Sequence, residues 1–167
     1  EVLLYYSSRV MLNSDSSNLT ALVYMQGWQE LWAALVETNG IGLGFQMNGT
    51  QIPTDIAEKI RSIAGIYKNR QDGAFLSSKL ISEFGVVGIL IVLLFMKYII
   101  TSFVFLKRES NKTNKNIKLV FCHGVVFSFS IELFFRSTGY FTSSLVILLL
   151  CVYYIKRNNV KGLSWKN

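Results

Sequence analysis

The sequence is short of the residues that usually announce chemistry: its 167 residues include one histidine, two cysteines and one proline. No Cys/His spacing suited to a metal ion occurs anywhere. Acid is also scarce in one half, because residues 84–167 carry two Asp/Glu beside eleven Lys/Arg, whereas residues 1–83 carry eight beside six. The opening "EVLLYYSSRV" lacks both a basic region and a long apolar core, so it does not read as a secretory leader.

What the chain does have is apolar length. Its apolar content of 51% is high for a soluble domain of this size, and it is concentrated in the second half. Phe84 to Leu106, "FGVVGILIVLLFMKYIITSFVFL", is a run of 23 residues with one charge, Lys97, and is long enough to cross a bilayer. Ile117–Phe135 and Tyr140–Ile155 are the second and third predicted spans, joined by a hairpin at residues 136–139. The basic segments "KRESNKTNKNIK" and "KRNNVKGLSWKN" border these runs, which places residues 107–116 and 156–167 in the cytoplasm by the positive-inside rule.

The Arg136 hairpin and the acidic residues 1–83 then fall outside. Basic residues that flank apolar runs, and do not line one polar face, argue for a membrane and against nucleic acid. Cys122 and Cys151 lie near the cytoplasmic ends of their helices and read as small packing residues, not as a redox pair. A first residue other than Met, with a large outer segment and nothing upstream to export it, fits the C-terminal part of a longer polytopic protein.

Within the outer segment, Leu22, Met25, Trp28, Leu31, Trp32, Leu35 and Val36 recur at helical steps, with Gln26, Gln29, Glu30, Ala33 and Glu37 opposite. Two tryptophans on the apolar side suit the headgroup level of a membrane. "NSDSSN", residues 13–18, offers N-caps, and Asn39-Gly40 offers the left-handed stop a helix end wants. Gly42 and Gly44 follow; since they trail a helix where phosphate loops precede one, they read as a sharp turn or a close backbone approach. A second short helix follows Pro53 with Thr54 as its cap, and Asp72-Gly73 reads as a turn before a helix that runs from Ala74 into the membrane, with Asp72 near its N-terminus.

Three strings, "YMQGWQELWAALVETNGIGLGFQMNG", "DGAFLSSKLISEFGVVGIL" and "ELFFRSTGYFT", resemble the last large periplasmic loop and closing spans of bacterial O-antigen polymerases of the Wzy type. The resemblance implies an all-α, GT-C-like integral membrane bundle in the inner membrane, of which this chain would supply three transmembrane helices and a large periplasmic helical loop. It implies transfer of a growing glycan from undecaprenyl diphosphate to a lipid-linked repeat unit, with lipid-linked glycans, membrane lipids and a chain-length regulator as partners.

Such a reaction needs a cation for the diphosphate and a base for the acceptor hydroxyl. Arginine's planar fork suits phosphate, and Arg136 at the outer mouth of two spans is the first candidate, followed by Arg9 and Arg70. Glu132, four residues before Arg136, is expected either to pair with it or to act on the acceptor; Glu37 and Asp72 are the other candidate bases. Glu30 shares a face with Glu37, a pattern expected of a solvated helix side. His123 lies thirteen residues from Arg136, roughly 20 Å along a helix, on the wrong side for periplasmic chemistry. An O-antigen ligase of the same superfamily, and a non-catalytic polysaccharide transporter or flippase, are the competing expectations.

Overall fold

A computed structural model of the chain describes residues 18–111, 116–136 and 139–164. These form five helices and, among the described residues, no strand: α1 (Leu19–Glu37), α2 (Asp55–Ala64), α3 (Leu76–Ser110), α4 (Ile117–Phe134) and α5 (Ser143–Ser164). The chain divides into two compact units, one holding the described residues up to Val92 with 133–136, the other holding the remainder.

In the first unit α1 starts where the local sequence provides a cap: the Asn18 side chain accepts the Thr20 amide at 3.1 Å. It stops at Thr38, whose hydroxyl donates back to the Ala34 carbonyl, and Asn39 and Gly40 take the left-handed conformation at φ 51° and 83°. α2 carries its expected Thr54 cap, with Asp55 and Glu58 in the first turn, and Gly65 closes it at φ 74°. It packs against α1 by burying Ala57 and Ile60, and the Ile56 amide donates to Gln29 at 3.3 Å.

The face that α1 buries differs from the one its periodicity suggests. Ala21, Leu22, Gln26, Gly27, Glu30, Leu31 and Ala34 point into the unit, whereas Trp28, Trp32 and Val36 point out of it. Apolar spacing identifies a stripe that avoids water but cannot say what covers it. The polar stripe goes inward here because the chain supplies a cation and amides to meet it.

α3 is one element only in being continuous along the chain. Gly85, at φ 57° and ψ −129°, breaks it into arms of residues 76–84 and 86–110. The bend is sharp: a Cβ on Gly88 would fall 2.2 Å from the Leu80 carbonyl oxygen, while residues eight apart in a straight helix stand roughly 12 Å apart. The expected continuous helix from Ala74 into the membrane is therefore corrected to a short buried arm followed by a long apolar one. The second arm, at about 1.5 Å per residue, is some 37 Å long and exceeds a hydrocarbon core of about 30 Å.

The second unit contains the rest of that arm with α4 and α5. Phe95 meets Phe129 at 5.5 Å between ring centroids and Phe103 meets Phe127 at 5.6 Å, which sets the arm antiparallel to α4. α5 runs antiparallel to α4 in turn, with Ser144 bonded to Glu132 at one end and Cys151 beside Cys122 at the other. Both cysteines are buried and unoxidised.

Among the described residues two helices, α3 and α4, are long and apolar enough to cross a membrane. Only 17% of the most apolar stretch of α3 and 28% of that of α4 is buried by the chain itself, so most of both apolar surfaces needs another cover. α5 is not in this class. It starts at Ser143, not Tyr140, and continues past Ile155 into the basic segment as far as Ser164. Its apolar part, residues 143–155, is roughly 20 Å long, below the thickness of a bilayer core.

Candidate functional site

The first unit has two polar centres. One is built around Glu30 on α1, which is 3% exposed despite its charge. Arg70 reaches it from the turn after α2, with Nε 2.9 Å from Glu30 Oε1, while its Nη2 donates to the Gln51 carbonyl at 2.6 Å. Gln26, one helical turn before Glu30, donates to the same carboxylate oxygen at 3.1 Å, and Gln51 Nε2 donates to the Glu30 backbone carbonyl. Asn48 in turn donates to the Arg70 carbonyl at 2.8 Å, so the ion pair links α1, the segment after it and the 69–73 turn.

Burial pushes the Glu30 carboxyl above its usual range, against the opposing pull of the Arg70 and Gln26 hydrogen bonds and the Arg70 charge. The Arg70 guanidinium also lies 5.3 Å from the Tyr67 ring centre, a contact that favours a cation. Glu30 is thus a member of a buried ion pair, which overturns the expectation of a solvated helix side. The physical reason is that Arg70, forty residues away in sequence, neutralises it.

The second centre explains the glycine-rich stretch. The broken α3 leaves carbonyls at the end of its first arm and amides at the start of its second without helical partners. Residues 40–44 supply them: Leu43 and Gly44 donate to the Ser82 and Glu83 carbonyls, each at 2.9 Å, and the Val86 amide donates to the Gly40 carbonyl at 2.8 Å. The Gln46 amide donates to the buried Glu83 carboxylate at 3.1 Å, and the Phe45 ring lies 6.3 Å from that of Phe84.

The approach tolerates no side chain. A Cβ on Gly42 would stand 2.5 Å from the Glu83 carbonyl oxygen and from the Gly85 nitrogen, and one on Gly85 would stand 2.0 Å from the Gly40 carbonyl oxygen. Gly42 therefore serves a close backbone approach, whereas a Cβ on Gly44 would meet only the Met47 side chain at 3.6 Å, and its φ of 103° is what calls for glycine there.

The sequence candidates are dispersed. Arg9 lies outside the described residues. Arg136 is exposed, two residues beyond the end of α4 at Phe134, so the helical spacing that would set it above Glu132 does not extend to it. Glu132 accepts a hydrogen bond from Ser144 at 2.8 Å, and Ser144 meets the Thr142 hydroxyl at 3.0 Å. Glu37 is exposed in the last turn of α1. Asp72 is exposed in the turn before α3, four residues ahead of the first helical residue.

Arg70 is present in a site, but its fork is already engaged by Glu30 and Gln51. His123 is buried, 2.9 Å from the Ser102 hydroxyl and stacked on Phe105 at 4.0 Å between ring centres, in keeping with a packing and helix-contact role. Lys97 is exposed on the long arm.

Sequence reasoning overlooked Lys79 and Glu83, both buried in the first arm of α3 together with Ser77, Ser78 and Ser82. Their signal was available, since "SSKLISE" puts two opposite charges at i and i+4 just ahead of the apolar run. Among the described residues no three His, Cys, Asp or Glu side chains gather closely enough to hold a metal ion. No protein-family model, curated protein or solved structure matches the chain.

Proposed function

We propose that the chain is the C-terminal portion of an O-antigen polymerase of the Wzy type, a glycosyltransferase of the bacterial inner membrane. The observation that carries the reading is the meeting of two of the strings on which the resemblance rests. "NGIGLGFQ" and "SEFGV" lie some forty residues apart, and the backbone of the first splints the break in the second. Motifs that a fold brings into backbone contact are motifs whose spacing has a shared structural cause.

In this reading the long arm of α3 and α4 are two full spans of a GT-C-like bundle, the short apolar part of α5 is a third that crosses only with local thinning of the bilayer around it, and the segment before Gly85 is a periplasmic loop. Basic residues after α3 and at the end of α5 hold those ends in the cytoplasm. Arg136 takes the diphosphate of an undecaprenyl-linked donor, with Arg9 as a second cation; exposure leaves the Arg136 fork open to phosphate oxygens. Arg70 acts on the diphosphate only indirectly, by holding the loop through Glu30.

A carboxylate accepts the proton of the acceptor hydroxyl as the new glycosidic bond forms. The bond between the anomeric carbon and the diphosphate oxygen breaks, and undecaprenyl diphosphate leaves with the electron pair. Glu132, oriented by Ser144 and Thr142, is assigned this role ahead of the exposed Glu37 and Asp72. A chain-length regulator is the expected protein partner.

Deleting the gene tests the assignment. Loss of a polymerase leaves lipopolysaccharide that carries one repeat unit. Loss of an O-antigen ligase leaves none attached, and a ladder unchanged by deletion excludes both.

A further inference from the structure

The outward face of α1 is only partly covered within its own unit, where the Trp28 ring packs on Phe75 at 5.1 Å between centroids. Trp28, Trp32 and Val36, at i, i+4 and i+8, are 46%, 67% and 66% exposed, and Ile41 beyond the helix end is 80% exposed. For a polypeptide in water this is a costly arrangement. The stripe does not end in isolation, however. It runs into the Gly40–Gly44 segment, whose backbone is hydrogen-bonded to Ser82, Glu83 and Val86, and a Cβ on Gly40 would lie 3.4 Å from Val86 Cγ2.

Val86 is the first residue of the long apolar arm, and its own side chain is exposed, as are those of Val87 and Leu90. If that arm crosses a bilayer, Val86 marks the depth at which the chain enters it. The hydrogen bonds then fix Ile41 and Phe45 at the same depth. The exposed start of the arm, at Val86, Val87 and Leu90, and the stripe of α1 therefore meet across the Gly40–Gly44 segment within one unit.

We propose that α1 is a membrane-surface helix: its Trp28–Trp32–Val36 stripe, continued by Ile41, rests in the boundary between lipid headgroups and acyl chains. The occupant of the face is lipid, and not a second protein, for two reasons. The face meets the exposed start of the membrane-crossing arm, and it carries tryptophan, whose flat apolar ring with one polar N–H suits that boundary. Glu30 and Gln26 then face away from the lipid, where Arg70 neutralises the charge that would otherwise resist the approach of the helix to an apolar medium. The inference rests on residues 86–110 crossing the membrane, and not on which reaction the protein performs.

Depth-dependent fluorescence quenching tests it. The third tryptophan, Trp165, is replaced by Phe, and the full chain is reconstituted in phosphatidylcholine vesicles brominated either high on the acyl chains or near their ends. The emission of Trp28 and Trp32 is expected to be lost more to the shallow bromines than to the deep ones. A companion chain, with all three tryptophans changed to Phe and with Leu94→Trp, reports on the long arm and is expected to show the opposite order.

If the arm reporter is quenched by deep bromines while Trp28 and Trp32 respond to neither lipid, the stripe is covered by protein and the inference falls with the crossing intact. Stronger quenching of Trp28 and Trp32 by deep bromines places α1 in the acyl core and also overturns it. An arm reporter that neither lipid quenches removes the crossing itself, and the inference with it.

Discussion

Replacing Arg70 with Met should open the first unit without touching its apolar contacts. Arg70 and Glu30 form an ion pair at 2.9 Å, with side-chain exposures of 11% and 4%, so removing the cation strands a carboxylate in a place where water cannot solvate it. Breaking one partner of such a pair typically costs about 3–5 kcal/mol. The Gln51 carbonyl also loses the donor that the guanidinium supplied.

The effect has a definite pH dependence. Burial raises the Glu30 carboxyl pKa above its unfolded value, so between those two values the folded chain binds more protons than the unfolded one. The strain of an ionised Glu30 is therefore present above the folded pKa and relieved as pH falls towards the ordinary carboxylate value. Arg70→Met removes the largest influence that lowers this pKa, so the folded value rises further and the relief on acidification grows.

Hydrogen exchange on the detergent-solubilised full chain is the suitable assay, because it reads α1 separately from the apolar helices. A penalty of about 3–5 kcal/mol corresponds to a roughly hundredfold to several-thousandfold loss of amide protection in α1 at neutral pH. The loss should shrink at acid pH. Replacing both partners, as Glu30→Met with Arg70→Met, should restore most of the protection, since a buried pair is often exchangeable for packed apolar groups. Protection unchanged in Arg70→Met, or a double variant as damaged as the single one, would refute the reasoning.

Other expectations follow from single positions. Gly42→Ala should expose residues 40–46 and the 82–86 break to protease, because its φ of 93° and a Cβ 2.5 Å from backbone atoms leave no place for a methyl group. Gly65→Ala, at φ 74° but with open space around it, should cost only about 1–2 kcal/mol, and equal sensitivity of the two would show that conformation and not contact governs Gly42. In the polymerase reading, Arg136→Lys and Arg9→Lys should each shorten the polysaccharide ladder while leaving protein levels unchanged, since a point charge replaces a planar fork. Glu132→Gln should collapse the ladder to one repeat, whereas Glu37→Gln should leave it intact; the reverse result would move the base to α1.

Local signals were legible where one segment settles its own structure. Thr54 caps its helix as its side chain predicts, Asn18 is the one of the several caps offered by residues 13–18 that is used, Asn39 and Gly40 stop α1 by adopting positive φ, and the apolar length of residues 84–106 announces a membrane-scale helix. The glycines at 42 and 44 pointed to a sharp turn or a close approach, and the approach is made at Gly42. The break at Gly85 was hidden, because a glycine inside an apolar run is compatible with a straight helix until something arrives to satisfy the freed backbone groups. Of the proposed site, Arg136 was readable from its place beside an apolar run. The engagement of Arg70 by Glu30 was not.

By itself, then, the sequence determined that these segments are helical, the cap at Thr54, the stop at Asn39-Gly40, and the membrane-scale apolar length within α3 and α4. These properties depend on neighbours within a turn or two along the chain. Only the tertiary structure decided which face of α1 turns inward, where α3 folds back, and that Glu30 is a buried partner and not a solvated surface charge. Those outcomes depend on groups about forty residues away: the Arg70 cation for one, and the Gly40–Gly44 backbone for the other. No periodicity records the arrival of a distant partner, and burial of a charge or a broken helix end is permitted only once that partner is in place.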